Sequence, residues 1–183
     1  MLLITSAVFL ITGFLSNNKA DEKVIAQQVI NKMLKNYFAE QKSEWVGKRS
    51  LDFTLSTIEG KPVKLSDYRG KTIVLDFWAS DCIPCMEEMG ILEKIYRDYK
   101  SRDLTLFGVN SEYNEYRIRK TVRERGITFP ILHDKEEEIA AFYEINAVPR
   151  LIIIDKAGII KVDYTGILPE SKIREELGKL GIK

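Results

Sequence analysis

The chain has 183 residues, and 28 Lys and Arg against 27 Asp and Glu leave a formal net charge of +1. That balance excludes a nucleic-acid binder working through bulk positive charge, and 45% hydrophobic with 30% charged residues excludes wholesale disorder. Two cysteines cannot staple a mini-protein or hold a metal with thiolates alone, and a single histidine excludes a His-rich metal site.

Residues 1–19 open with an uncharged apolar run, Met1 to Leu15, followed by Ser-Asn-Asn-Lys. A spanning helix needs roughly 20 mostly apolar residues, so the run reads as the core of an export signal or a short anchor. No basic residue precedes it and no clean small-x-small site follows. Lys19 and Lys23, just after it, favour a cytoplasmic side for the following chain. Residues 20–45 predict an amphipathic helix. Val24, Ile25, Val29, Ile30, Met33 and Leu34 recur at helical spacing, and Trp45-Val46-Gly47 opens a main domain over 46–183.

Leu51 to Leu55 and Lys61 to Leu65 predict short strands around the turn Glu59-Gly60-Lys61-Pro62. Thr72 to Trp78 is a continuous apolar run with one acid, the pattern of a central strand buried on both faces. Ile83 to Tyr99 predicts a helix and Leu104 to Val109 a second buried strand. Glu112 to Arg125 predicts an exposed charged helix ended by Gly126. Phe129 to Leu132 reads as a short extended piece and Lys135 to Tyr143 as another helix. Glu136 to Glu138 would form its solvated start, where acids suit the helix dipole. Leu151 to Ile154 and Ile159 to Tyr164 predict a hairpin across Lys156-Ala157-Gly158, and Pro169 to Leu180 a last helix. Alternating helices and strands, then a hairpin and a terminal helix, describe an α/β sandwich on a mixed sheet.

The chemistry concentrates in Trp78-Ala79-Ser80-Asp81-Cys82-Ile83-Pro84-Cys85. At the start of a helix, positions i and i+3 lie on neighbouring sides of the first turn, so the two sulfurs can bond to each other. The first thiol meets the N–H groups of the helix N-terminus, where the dipole favours thiolate. Pro84 is tolerated because first-turn N–H groups have no intrahelical partner. Cys82 is therefore the reactive outer thiol, and Cys85 the inner one that can attack a mixed disulfide.

The segment DFWASDCIPC, with Val148-Pro149 before the strand at Leu151, resembles thioredoxin-fold proteins. It is most similar to the TlpA/ResA-like branch of thiol-disulfide oxidoreductases, which overlaps the AhpC/TSA redoxin superfamily. Asp52-Phe53-Thr54-Leu55, Leu65 to Lys71 and Phe129-Pro130 extend the resemblance over roughly Val46 to Leu180. It implies a thioredoxin-like fold: a mixed central β-sheet flanked by helices, with an N-terminal hairpin and an inserted helix. It implies Cys82 as attacking thiolate, Cys85 as resolving thiol and Pro149 as a cis-proline that presents backbone to the substrate. Asp76 matches a buried acid under the active site, and Glu88 an acid in the first active-site helix. Trp78, Ile83, Pro84, Val148 and Arg150 surround these positions as candidate substrate contacts.

The residues support part of this directly. Asp76 interrupts an apolar run, so burial should raise its pKa and suit it to take the proton of Cys85; the alternative is a satisfied polar group at a sheet edge. Glu88 reaches the rim of the site or is an ordinary solvated helix acid. Pro149 could instead be a plain strand-entry proline, and Trp78 is core packing or a wall of the site. His133 reads as a surface loop residue. Asp81 stands where the family usually has an aromatic residue. Its carboxylate disfavours the neighbouring thiolate by roughly 0.5–2 pKa units. Gly90 replaces a common proline, and Arg150 would put a positive charge beside the substrate groove.

The expected activity is dithiol-disulfide exchange without metal or organic cofactor. The resemblance implies reduction of protein disulfides outside the cytoplasm, in cytochrome c maturation or redox homeostasis. The implied protein is exported, periplasmic or membrane-anchored, and fed by a membrane electron donor. A thiol peroxidase is the first alternative, but Ala79 occupies the position of that family's threonine. A metal or haem chaperone is the second, and no added Met or His partner stands near the motif.

Overall fold

The computed structural model describes residues 23–30, 32–33 and 43–183. The expected signal or anchor at 1–19 lies outside the described residues, as does much of the segment 20–45. Residues 23–30 and 32–33 are helical, with Val24, Ile30 and Met33 exposed. No described helix is long and apolar enough to cross a membrane. The chain divides into two compact units, Met1–Lys42 and Ser43–Lys183.

In the second unit, Thr54–Thr57 (β1) and Pro62–Lys64 (β2) form an antiparallel hairpin. Thr72–Phe77 (β3) leads into the helix Ile83–Tyr99 (α1) and returns to Leu104–Asn110 (β4). The helix Glu115–Arg125 (α2), the strand Ile131–His133 (β5) and the short helix Glu138–Phe142 (α3) follow. Arg150–Ile154 (β6), Ile160–Thr165 (β7) and the helix Glu170–Lys179 (α4) complete the chain. The seven strands form one sheet in the order β2-β1-β5-β4-β3-β6-β7. β3 runs parallel to β4, and β4 to β5, while β1 on β5, β6 on β3 and β7 on β6 are antiparallel. The sheet is mixed, with helices between parallel strands and hairpins at both edges.

Every residue of β3 is buried, as its unbroken apolar run requires. Ile73, Leu75 and Phe77 pack with Phe107, Val109, Leu132, Ile152 and Ile154 on one face of the sheet. Tyr143 closes this core, its ring stacked edge-on against Trp45 and Phe142, and its hydroxyl accepts the Leu51 N–H at 3.0 Å.

That contact corrects the first expected strand. Leu51 to Phe53 stays outside the ladder, and the strand begins at Thr54. The expected start of the inserted helix also shifts. Residues 135–137 lie outside it, and Asp134 caps α3 by accepting the Ile139 and Ala140 N–H groups at 3.2 and 2.8 Å. His133 is a strand residue whose ring is mostly buried, with Nε2 2.9 Å from the Glu112 carbonyl oxygen. The charged helix starts at Glu115 behind an Asn114 cap, leaving Glu112 in the preceding loop.

Candidate active site

The end of β3 delivers Phe77 and Trp78 to the edge of the core, and Ala79 to Asp81 turn the chain into α1. Cys82 is the N-cap of α1, and its sulfur accepts the Cys85 N–H at 3.2 Å. Ile83 and Pro84 occupy the first helical positions, where the proline displaces no helical hydrogen bond. The two sulfurs are joined at 2.02 Å. Cys82 is partly exposed and Cys85 only 1% exposed, so a visitor can reach the first sulfur and not the second. Cys82 sits where orphan N–H groups and the helix dipole favour an anion.

The loop before β6 forms the opposite wall. Val148-Pro149 is a cis peptide, and the Val148 carbonyl oxygen lies 3.7 Å from Cys82 Sγ. Ile83 projects outward, 83% exposed, and Pro84 is exposed beside it. Cys82, Ile83, Pro84 and Val148 thus share one accessible surface.

Both acids expected at the site, Asp76 and Glu88, lie in the interior. Asp76, on β3, is 1% exposed, and neither of its carboxyl oxygens has a hydrogen-bond partner in the protein. Burial, reinforced by the charge of Glu88, pushes its pKa well above the ordinary range. Glu88 is fully buried one helical turn beyond Cys85 and accepts the Leu168 N–H at 3.0 Å. Burial pushes its carboxyl up to about 7, opposed by the Leu168 hydrogen bond. The solvated-acid alternative for Glu88 and the sheet-edge alternative for Asp76 do not describe these positions. Carboxyls whose pKa is raised by burial come closer to a thiol in proton affinity and can exchange a proton with it, which an ordinary aspartate cannot do effectively.

Two of the candidate contacts turn inward. Trp78 is buried and packs on Gly108 with Phe129 and Ile131 around it; a Cβ added at Gly108 would stand 3.0 Å from Trp78 Nε1. It therefore belongs to the core rather than to an open wall. Arg150 pairs with buried Asp163 through two 2.7 Å hydrogen bonds and also donates to the Glu144 carbonyl. Its charge is spent on that pair, so the cation expected beside the substrate groove is not free there.

A further residue, Glu112, escapes sequence reasoning. Its carboxylate accepts the Ser80 N–H at 2.9 Å, the Ser80 hydroxyl and the Asn110 side-chain amide at 3.1 Å. It fastens the loop ahead of Cys82 to the end of β4. The only sequence signal is an acid two positions beyond the end of a buried strand. Among the described residues, no group of three or more His, Cys, Asp or Glu stands where it could hold a metal ion.

Residues 46–163 match the AhpC/TSA family model. The chain is 33% identical over 142 residues to the thiol-disulfide oxidoreductase ResA of Geobacillus thermodenitrificans, covering 78% of this chain and 82% of the relative. Among solved structures it resembles the thiol:disulfide interchange protein assigned as DsbE from Chlorobium tepidum. The TM-score is 0.69 at 26% identity, covering 74% of this chain and 96% of the other. StoA from Bacillus subtilis matches with a TM-score of 0.62 at 27% identity, covering 69% and 96%.

Proposed function

Because the chain belongs to the AhpC/TSA family and is a thiol-disulfide oxidoreductase, we propose that Cys82 attacks a protein disulfide and Cys85 resolves the adduct. The Cys82 thiolate forms a bond to one substrate sulfur and releases the other as a thiolate. Cys85, deprotonated, then attacks Cys82 Sγ, closes the Cys82–Cys85 disulfide and releases the second substrate thiolate. Two electrons pass from the dithiol to the substrate, and no cofactor takes part. The single observation that carries this assignment is the asymmetry of the pair: an accessible sulfur capping a helix, linked to a sulfur buried behind it.

The remaining roles follow from this asymmetry. The Asp76 and Glu88 carboxyls hold and return the proton of Cys85. The Val148 carbonyl and Pro149 present extended backbone to the substrate chain, and Ile83 and Pro84 offer an apolar rim. Asp76, Glu88 and Pro149 join the cysteines as the working set; Trp78 and Arg150 support it from within.

The enzyme acts outside the cytoplasm, where disulfides form and persist, and a membrane-bound donor returns electrons to it. Residues 1–19 supply the export signal or anchor, and the amphipathic segment 20–45 precedes the catalytic domain 46–183 in the chain. The uncharged run Met1 to Leu15 supports this location. Cell fractionation tests it: recovery of the full chain in the soluble cytoplasm would contradict it.

Two variants test the chemistry. Cys82→Ser should abolish reduction of insulin, and Cys85→Ser should accumulate mixed disulfides at Cys82. Failure of Cys85→Ser to trap any disulfide partner would overturn the assignment. A peroxidase reading gains nothing from the site, since Ala79 offers no hydroxyl to a peroxide.

A further inference from the structure

Asp81 directly precedes Cys82, and its side chain is largely exposed. An unopposed carboxylate there repels the Cys82 thiolate. Asn114 caps α2 by accepting the Arg117 N–H, which places Arg117 in the first turn of that helix. From there the guanidinium reaches back to the active-site loop. Its Nη2 lies 3.8 Å from Asp81 Oδ2, and its Nη1 lies 3.7 Å from Glu112 Oε1. Glu112 in turn grips Ser80 through both backbone and hydroxyl. The loop ahead of Cys82 is therefore fastened at Ser80 and faced by a cation at Asp81, both from the β4–α2 side.

We propose that Arg117 is a positioning residue for the exchange reaction, bridging Asp81 and Glu112 so that the carboxylate beside Cys82 does not suppress its thiolate. This inference rests on the reading of Cys82 as the attacking thiol. Arg117 acts through Asp81 and touches neither sulfur. The other charges around Cys82 are accounted for. Asp76 on β3 and Glu88 on α1 lie in the interior, Glu87 on α1 points to solvent, and Arg150 is paired with Asp163. The Val148-Pro149 wall carries no charge. None of these changes when Arg117 is replaced, so a comparison of variants isolates the bridge. Asp81 and Arg117 are both substantially exposed, so the bridge is screened by salt, and the effect is modest.

The test is the pH profile of iodoacetamide alkylation of the reduced protein, with the adduct located by mass spectrometry. It uses the parent protein, Arg117→Gln, Asp81→Asn and the double variant. At low ionic strength Arg117→Gln should raise the midpoint for Cys82 by about 0.2–0.7 pH unit. The shift should vanish in about 1 M salt, where the screening length falls to about 3 Å. Asp81→Asn should lower the midpoint, and in that background Arg117→Gln should move it by less than half as much. An unmoved midpoint in Arg117→Gln would overturn the proposal, and so would an equal shift with Asp81 removed. If Cys85 were alkylated first, the assignment of Cys82 itself would fall; a Cys82 adduct with unmoved midpoints would sink only the Arg117 bridge.

Discussion

Asp76 and Glu88, on β3 and α1, are two buried carboxyls that act on each other's charge, and both hold protons more tightly than exposed acids do. Glu88 falls in line with Cys85, Met89 and Leu92 on the buried stripe of α1, so the helix carries this acid into the core. Such a pair is costly in the ionised form, and that cost can be measured.

The sign follows from proton binding. Glu88 titrates near 7 in the folded protein against an ordinary value of 4.5, so between those values the folded state binds more protons than the unfolded chain. Stability is full below the lower value, declines as pH rises toward 7 and stays reduced above it. Asp76 acts in the same direction. A shift of this size corresponds to about 3 kcal/mol. The oxidised protein should therefore be less stable to urea at pH 8 than at pH 5, and Glu88→Gln should reduce the difference, the remainder coming from buried Asp76. Gln keeps an oxygen for the Leu168 N–H. A parent protein more stable at pH 8 would contradict the buried pair.

In the proposed mechanism Asp76 acts in the second chemical step. Asp76→Asn removes a group that can take the proton of Cys85 and leaves the helix cap at Cys82 in place. Release of product from a preformed mixed disulfide should slow by about 100-fold, the low end of general-base contributions. Alkylation of Cys82 should change far less. Equal slowing of both reactions would show a general disturbance rather than a role in resolution.

Arg150 and Asp163 make a different kind of buried pair, with a well-formed double hydrogen bond and the Ser43 hydroxyl 2.5 Å from the same carboxylate. Arg150→Leu strands that carboxylate in the interior. Urea unfolding should record a loss of about 3–5 kcal/mol. A loss under about 1 kcal/mol, typical of an exposed ion pair, would place Asp163 in contact with water.

The parts of the site that could be read beforehand are those written in short, local patterns. The CxxC spacing, the acid inside β3 and the Val-Pro pair before β6 each announce themselves within a few residues. The inward turn of Arg150 was not legible, because its partner Asp163 lies across the β6–β7 hairpin and nothing local ties them. The charged stretch from Glu112 to Arg125 predicts a helix from Glu112, but Asn114, the stronger cap, starts it later. Glu88 had a signal, its helical spacing from Cys85 and Met89, but a charged side chain on an apolar stripe only declares itself buried once its partner, Leu168 N–H, is known. Strand limits moved for similar reasons. Leu51 N–H goes to the Tyr143 hydroxyl, a bond with a residue far along the chain.

The most direct measurement is a single turnover. Fully reduced protein is mixed with a peptide containing one disulfide, and both products are weighed by mass spectrometry under acid quench. Each peptide disulfide opened should be matched by one Cys82–Cys85 bond closed, through a transient adduct on Cys82. Peptide reduction with both protein thiols left free, or no change in either partner, would contradict a two-electron exchange at this pair.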